Sequence, residues 1–457
     1  MNKTRVLLAF LISFSGLSYA QEFDPAFSAG RMDSISVPVP GKTAVEPATD
    51  EKASVKKLTI MVFMNAKNNL EMAGLYNMNR METTGSTKDM NILVEMGRMN
   101  GQAEGDTDLD GNWTGVRRYY VKKDSDPEKI KSQVVFEQAE YDMGDYKQAV
   151  EFVKWTKEKY PAKKYVLILW DHGTGWLDPQ QKSSEDKGIS FDDETGNYIR
   201  TKQIGRILKD AGRVDILAFD ACLMQMTEVL TEVKDYTSVV VGSEETIPGT
   251  GYPYDLIVGA LARNPDLSAE EIGAVMVEAF KMFYEKMKRS AILSAVRSSK
   301  IDGLNKLAAD FAKLAMEAKD LEALKKARTD TMRFDILGPG DENMTISFFG
   351  DLHQFADIAG GNVTKTEPAA VSFKSKAEEL KNFIANDLVI HKGGFGANRA
   401  GKNLEDAGGI SVYIPPAAPQ VPQEKLEGIF EAPYTTFDFN TTTKWHDFAT
   451  FMYNEVK

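Results

Sequence analysis

Short, continuous apolar runs alternate along the first half of this chain with longer stretches of helical periodicity. Residues 58–64 (Leu-Thr-Ile-Met-Val-Phe-Met) form a run of buried-strand length, after which residues 65–69 turn the chain. Residues 70–81 then read as a helix and 92–96 as a second buried strand. Over 145–160, Ala149, Phe152, Val153 and Thr156 fall on one helical face, and Pro161 ends the pattern. That helix feeds an apolar strand over 165–170. Further on, 201–211 is helical, 214–219 a strand, 224–233 a helix and 239–241 a short strand. Strands that are apolar on both faces and alternate with helices predict a mainly parallel sheet covered on both sides.

Beyond residue 262 the texture changes to amphipathic helices. Ser268-Ala269-Glu270-Glu271 is a capping box that opens the first of them. Two further helical stretches cover 301–328 and 374–383, and β character returns over 409–414, ending at Pro415-Pro416. The pattern predicts 57–262 as the main α/β domain and 263–457 as a helix-rich C-terminal subdomain that returns to the same sheet. Residues 21–56, with Pro25, Pro38, Pro40 and Pro47 among Ser, Ala, Lys and Glu, read as a flexible pro-segment or linker. Residues 1–20 read as an export signal. Lys3 and Arg5 precede the apolar run 6–12, and Ser18-Tyr19-Ala20 offers a cleavage site after Ala20. That run is too short to span a membrane, so the expected location is the periplasm or the medium.

Composition narrows the function without naming it. Aromatic residues at 10% and charged residues at 27% belong to a soluble globular protein. A formal charge of −12 argues against a nucleic-acid surface, which needs clustered Lys and Arg, and favours basic partners. There is one cysteine, Cys222, so no internal disulfide can form. In an exported protein an unpaired thiol is either a small buried hydrophobe or a reactive group.

The neighbourhood of that cysteine favours the reactive reading. Two predicted strands end in chemically loaded turns, Trp170-Asp171-His172-Gly173 and Phe219-Asp220-Ala221-Cys222. Functional groups gather at the carboxyl ends of strands in doubly wound sheets, and adjacent strand ends lie about 4.8 Å apart. Cys222 can therefore act as nucleophile and His172 as general base. Gly173 and Cys222 would supply oxyanion N–H donors. The helix expected from 224 would favour the thiolate through its N-terminal dipole. No third triad member is evident.

Asp171-His172-Gly173 and Asp220-Ala221-Cys222-Leu223-Met224, each after an apolar strand, resemble the clostripain family of cysteine peptidases. The opening run through Asn65, the stretch Gly242-Ser243-Glu244-Glu245-Thr246-Ile247-Pro248-Gly249 and Gly409-Ile410-Ser411-Val412-Tyr413 resemble family motifs in matching order. The resemblance implies a caspase-like α/β/α sandwich and cleavage of polypeptides through an acyl-enzyme. It also implies Arg or Lys at P1, selected by an acidic S1 pocket at Asp220, with Ser243 as a weaker candidate for its wall. Asp220 could instead cap the turn or the next helix.

The resemblance further implies self-cleavage between His172 and Cys222, for which Lys182, Lys187 and Arg200 are candidates; a plain surface loop is the alternative. Asp106, Asp108 and Asp110 open like a calcium loop, but Arg117 stands where an EF-hand needs glutamate. The chemistry requires no cofactor, and calcium enters only as something some relatives depend on. The rival readings are a transpeptidase using the same thioester and an inactive binding protein on a peptidase scaffold. His353, His391 and His446 read as structural or surface residues. Tyr434, Phe437, Trp445, Phe448 and Tyr453 read as core.

Overall fold

The computed structural model describes residues 35–41, 45, 55–101, 106–177, 188–336, 346–415 and 434–456. The expected export signal and most of the expected linker lie outside these residues. The first half of the chain forms β1 (Lys56–Asn65), α1 (Glu71–Glu82), β2 (Met90–Arg98), β3 (Gly115–Tyr120), β4 (Gln133–Gln138), α2 (Tyr146–Lys159) and β5 (Ala162–Trp170). It continues through β6 (Ile189–Asp192), β7 (Asn197–Ile199), α3 (Thr201–Ala211), β8 (Ile216–Asp220), α4 (Thr227–Val233), β9 (Val239–Gly242), α5 (Tyr254–Arg263) and α6 (Ala269–Met287).

The central strands run parallel in the order β2-β1-β5-β8-β9. Their side chains alternate between two cores. Leu58, Ile60, Val62, Val166, Ile168 and Ala218 face α5 and α6, whereas Met61, Phe63, Leu167, Leu169 and Phe219 face α2, α3 and α4. Period-two alternation in a strand buried on both sides produces this split, and it explains why none of these central strands turns a face to solvent. The result is an α/β/α sandwich of caspase-like form. Antiparallel strands extend the sheet at both edges, β3 and β4 beside β2, and β10 (Ala291–Arg297) and β13 (Val389–Phe395) beyond β9.

Two organisational expectations need correction. The C-terminal half does return to the main sheet, but through β10 and β13 rather than through 409–414. That segment instead forms β14 (Ser411–Tyr413), which pairs with β12 (Ile346–Asp351) and β11 (Arg333–Ile336) in a separate three-stranded sheet. The helices α7 (Ile301–Ala318), α8 (Leu321–Asp330), α9 (Leu352–Gly361) and α10 (Pro368–Phe383) surround it. Residues of the expected linker are also partly anchored. Val37 and Val39 are buried, and Arg263 and Asn264 donate to the carbonyls of Val37 and Pro40. Alternating Pro and Val extends the backbone, so both valines reach the same apolar surface. Tyr434, Phe437, Trp445 and Phe448 are core residues as expected, with Trp445 donating to the Tyr413 carbonyl at 2.6 Å.

Candidate active site

The register of two parallel strands brings the predicted pair together. Trp170 lies opposite Asp220 in the β5–β8 ladder, and the Asp171 N–H donates to the Asp220 carbonyl at 3.2 Å. His172 and Cys222 are each two residues beyond that matched pair. The backbones touch at the next step: a Cβ built on Gly173 would overlap the Cys222 carbonyl oxygen and lie 3.0 Å from Ala221 Cβ and 3.1 Å from Met224 Cγ. Gly173 is thus required for its small volume.

Cys222 sits between the two cores and packs against both. Its sulfur accepts the Ile247 N–H at 3.2 Å. Burial pushes the thiol up to about 12, the Ile247 N–H opposes that rise, and the charges of Glu245 and Asp220 add to it. The expectation of a dipole-stabilised thiolate is therefore corrected. The helix begins at Thr227, behind a Met226 N-cap, instead of at 224. The intervening chain makes a sharp turn in which Leu223 takes φ +62, a left-handed conformation uncommon for a residue with a side chain. The Leu223 N–H donates to the Glu245 carbonyl at 3.2 Å, which ties this turn to the loop after β9. Burial and the late helix start both favour the neutral thiol at rest.

His172 is held from the β1–α1 loop. Its Nε2 lies 2.7 Å from Asn69 Oδ1. The neighbouring Asn68 amide donates to Asp171 Oδ1 at 2.8 Å and to the Phe191 carbonyl at 2.9 Å, while Asp171 accepts the N–H groups of His172 and Phe191. Beneath them the fully buried Lys67 ammonium contacts Tyr141 O at 2.5 Å, Glu194 at 2.6 Å and Asp192 at 3.3 Å. A buried cation so paired fixes a loop, because breaking it would strand an uncompensated charge. Sequence reasoning had treated 65–69 only as a turn. The sign of something more was the run of side-chain amides there, whose mixed donors and acceptors suit cross-linking.

Asp220 is 4% exposed. Its oxygens accept the Tyr252 N–H at 3.0 and 3.1 Å and the Tyr254 hydroxyl at 2.9 Å, and burial pushes its carboxyl up to about 7. Ser243, expected at a pocket wall, is instead fully buried. Its hydroxyl donates to the Glu245 carbonyl at 2.8 Å and accepts the Glu245 N–H at 3.1 Å, so it shapes the loop. Glu245, half-buried on this loop and near enough to oppose the thiolate, is the acid that sequence reasoning missed. It follows the next parallel strand end, which was its available signal.

The remaining candidates stand apart. Arg200 is the N-cap of α3: its N–H donates to Gln203 Oε1 at 2.9 Å, and its guanidinium packs over Tyr198. A backbone bound into a helix start is a poor scissile segment. Lys182 and Lys187 lie outside the described residues. Asp110 accepts the Ile130 N–H at 3.3 Å, and Asp108 is exposed. Among the described residues no group of three or more acidic, His or Cys side chains could hold a metal.

Behind the Glu245 loop, Glu244 and Asp351 form a buried carboxyl pair. Glu244 accepts the Gly409 N–H at 2.9 Å, and Asp351 accepts the Gln354 N–H at 2.7 Å and that of Gly408. Burial and the neighbouring carboxylate push the Glu244 carboxyl well above its usual range, with Lys392 opposing. The folded state thus keeps a proton that the unfolded chain releases. The pair's contribution is complete in acid and is lost as pH rises from the ordinary carboxylate range through the raised value. Glu244→Gln, whose amide can replace the shared proton, is expected to flatten the fall of Tm as pH rises above the ordinary carboxylate range. Parallel Tm curves for the two proteins would refute the shared proton.

A family model described as the clostripain family matches residues 62–451. Clostripain from Hathewaya histolytica is 23% identical over 418 residues, which span 79% of this chain and 75% of that protein. A secreted C11 cysteine protease from Bacteroides thetaiotaomicron, solved with an irreversible peptide inhibitor, superposes with a TM-score of 0.59 at 20% identity. The match covers 85% of this chain and 99% of that one. An inactive zymogen C11 protease from Parabacteroides distasonis gives a TM-score of 0.59 at 17% identity, over 86% and 99% of the two chains. At these identities the two structures speak for the fold.

Proposed function

The chain belongs to the clostripain family and is a cysteine-type peptidase, and from that premise we propose an exported endopeptidase that cuts after Arg or Lys with Cys222 and His172. The observation that carries this reading is the β5–β8 register, which puts both residues just past the carboxyl ends of two adjacent central strands, with Gly173 against Cys222. His172 takes the thiol proton as sulfur attacks the scissile carbonyl. The new S–C bond forms, the oxyanion is met by N–H groups of Gly173 and Cys222, and the C–N bond breaks as His172 returns the proton to the leaving amine. Water then hydrolyses the thioester. No cofactor enters.

The acidity around Cys222 suits a basic P1 side chain. Asp220 and Glu245 both oppose a thiolate, so an incoming guanidinium or ammonium would offset them at the moment the thiol must ionise. A neutral P1 side chain would leave that opposition in place. Export is supported by the N-terminal signal pattern and by a relative described as secreted. Self-cleavage, if it accompanies activation, belongs at Lys182 or Lys187 rather than at Arg200.

Fluorogenic peptides matched except for Arg, Lys, Asp or Leu at P1 test the specificity. Cleavage of the Arg or Lys peptides alone is expected, and Asp220→Asn or Glu245→Gln should lower kcat/KM on them by on the order of 10²-fold. Preference for Asp or Leu would sink the acidic pocket and leave the peptidase class intact.

A further inference from the structure

We infer that Asn69 is a positioning residue that fixes the tautomer and orientation of His172, which makes Nδ1 the nitrogen that serves Cys222. The inference rests on the proposed Cys222–His172 chemistry. An amide oxygen can only accept, so the 2.7 Å contact between Asn69 Oδ1 and His172 Nε2 requires the proton to be on Nε2. In the neutral imidazole Nδ1 is then the basic nitrogen. When Nδ1 takes the thiol proton, Nε2 keeps its own and the Asn69 contact survives, now as a hydrogen bond from an imidazolium. The same bond therefore orients the ring at rest and strengthens as positive charge develops.

The loop around Asn69 is built to hold that oxygen still. Asn68 fastens one side to Asp171 and Phe191, and its Oδ1 accepts the Leu70 N–H at 2.9 Å. The Glu71 N–H returns to the Asn68 carbonyl at 3.2 Å, where α1 begins, and buried Glu71 bonds Arg98 at 2.9 Å. Lys67 pins the other side through its buried ion pair with Asp192. Asp171, though adjacent to His172, is spent on backbone N–H groups and the Asn68 amide. It holds the strand end, and the orienting partner of the ring comes from the β1–α1 loop instead. A neutral amide there steers the imidazole without raising its basicity as a carboxylate would.

The test compares Asn69→Ala and Asn69→Asp with the parent, His172→Ala and Cys222→Ala, using an Arg or Lys peptide across pH. Asn69→Ala is expected to lower kcat by roughly 10–100-fold with KM unchanged, the cost of losing an outer orienting partner. Asn69→Asp keeps an acceptor and adds a charge, so it should recover much of kcat and move the acidic limb of kcat/KM to higher pH. An Asn69→Ala protein with parental kcat, or an Asn69→Asp profile that does not move, overturns the role of Asn69. The underlying dyad fails separately, if His172→Ala or Cys222→Ala stays active. Should Asn69→Ala fold poorly by near-ultraviolet circular dichroism, the pH shift of Asn69→Asp alone decides.

Discussion

Cys222→Ala is expected to remove peptide cleavage to the detection floor, a loss on the order of 10⁶-fold in kcat, while leaving the fold in place. The substitution deletes one half-buried sulfur and leaves the Ile247 N–H without its 3.2 Å acceptor, which costs about 1–3 kcal/mol of stability. Loss of activity with a retained cooperative transition would assign the chemistry to the thiol. Residual turnover would place the nucleophile elsewhere. Since Cys222 is the one cysteine of the chain, thiol labelling reports on it without ambiguity. Held at about 12, the thiol should carry roughly a thousandfold less thiolate at neutral pH than an ordinary cysteine. Alkylation of the resting enzyme should accordingly be slow and rise steadily with pH. Fast labelling at neutral pH would mean that a preformed ion pair exists and that His172 acts before substrate arrives.

This resting state follows from how the sheet is made. Strands buried on both faces deliver their last residues into a dry rim, and desolvation there opposes every charge. Asp220, Glu244 and Cys222 are all pushed toward their neutral forms by the same cause. On the proposed reading, the reaction then needs the imidazole to take the proton and a cationic substrate side chain to offset the carboxylates.

The parts of this arrangement that could be read from sequence are those set by local pattern. The apolar run 58–64 appears as β1 extended by a few residues at its ends, and 201–211 is the helix α3. Strand ends bearing His172 and Cys222 were legible because parallel sheets concentrate chemistry there. Contacts set by distant segments were not legible. β10 is a buried strand between long helices. β13, with Gly393 and Gly394 and a register shift opposite Ala295, carries little strand propensity, so their place at the sheet edge is decided by tertiary pairing. The segment 409–414 has good strand character but no local sign of which sheet it joins. Helix α4 starts late because Leu223 turns left-handed, held by the Glu245 carbonyl on another loop. Asn69 and Glu245 escaped notice for the same reason, since each acts on a residue more than twenty positions away.

Gly173→Ala is the sharpest test of the junction itself. The added methyl would meet the Cys222 backbone carbonyl, which cannot swing aside like a flexible side chain, with Ala221 Cβ and Met224 Cγ closing the other directions. To accommodate it the ends of β5 and β8 must part, and His172 is carried away from Cys222 with them. A displacement of about 1 Å costs on the order of 10²-fold in rate, and overpacking adds about 1–3 kcal/mol of destabilisation. Both kcat/KM and Tm are therefore expected to fall. Gly361→Ala is the matched control, because a methyl at the end of α9 meets nothing within 4 Å and should leave both quantities unchanged. A Gly173→Ala enzyme that loses Tm but keeps its rate would make the contact purely structural. One that loses neither would mean that the two strand ends stand further apart than their register implies, and the pairing of His172 with Cys222 would fall with it.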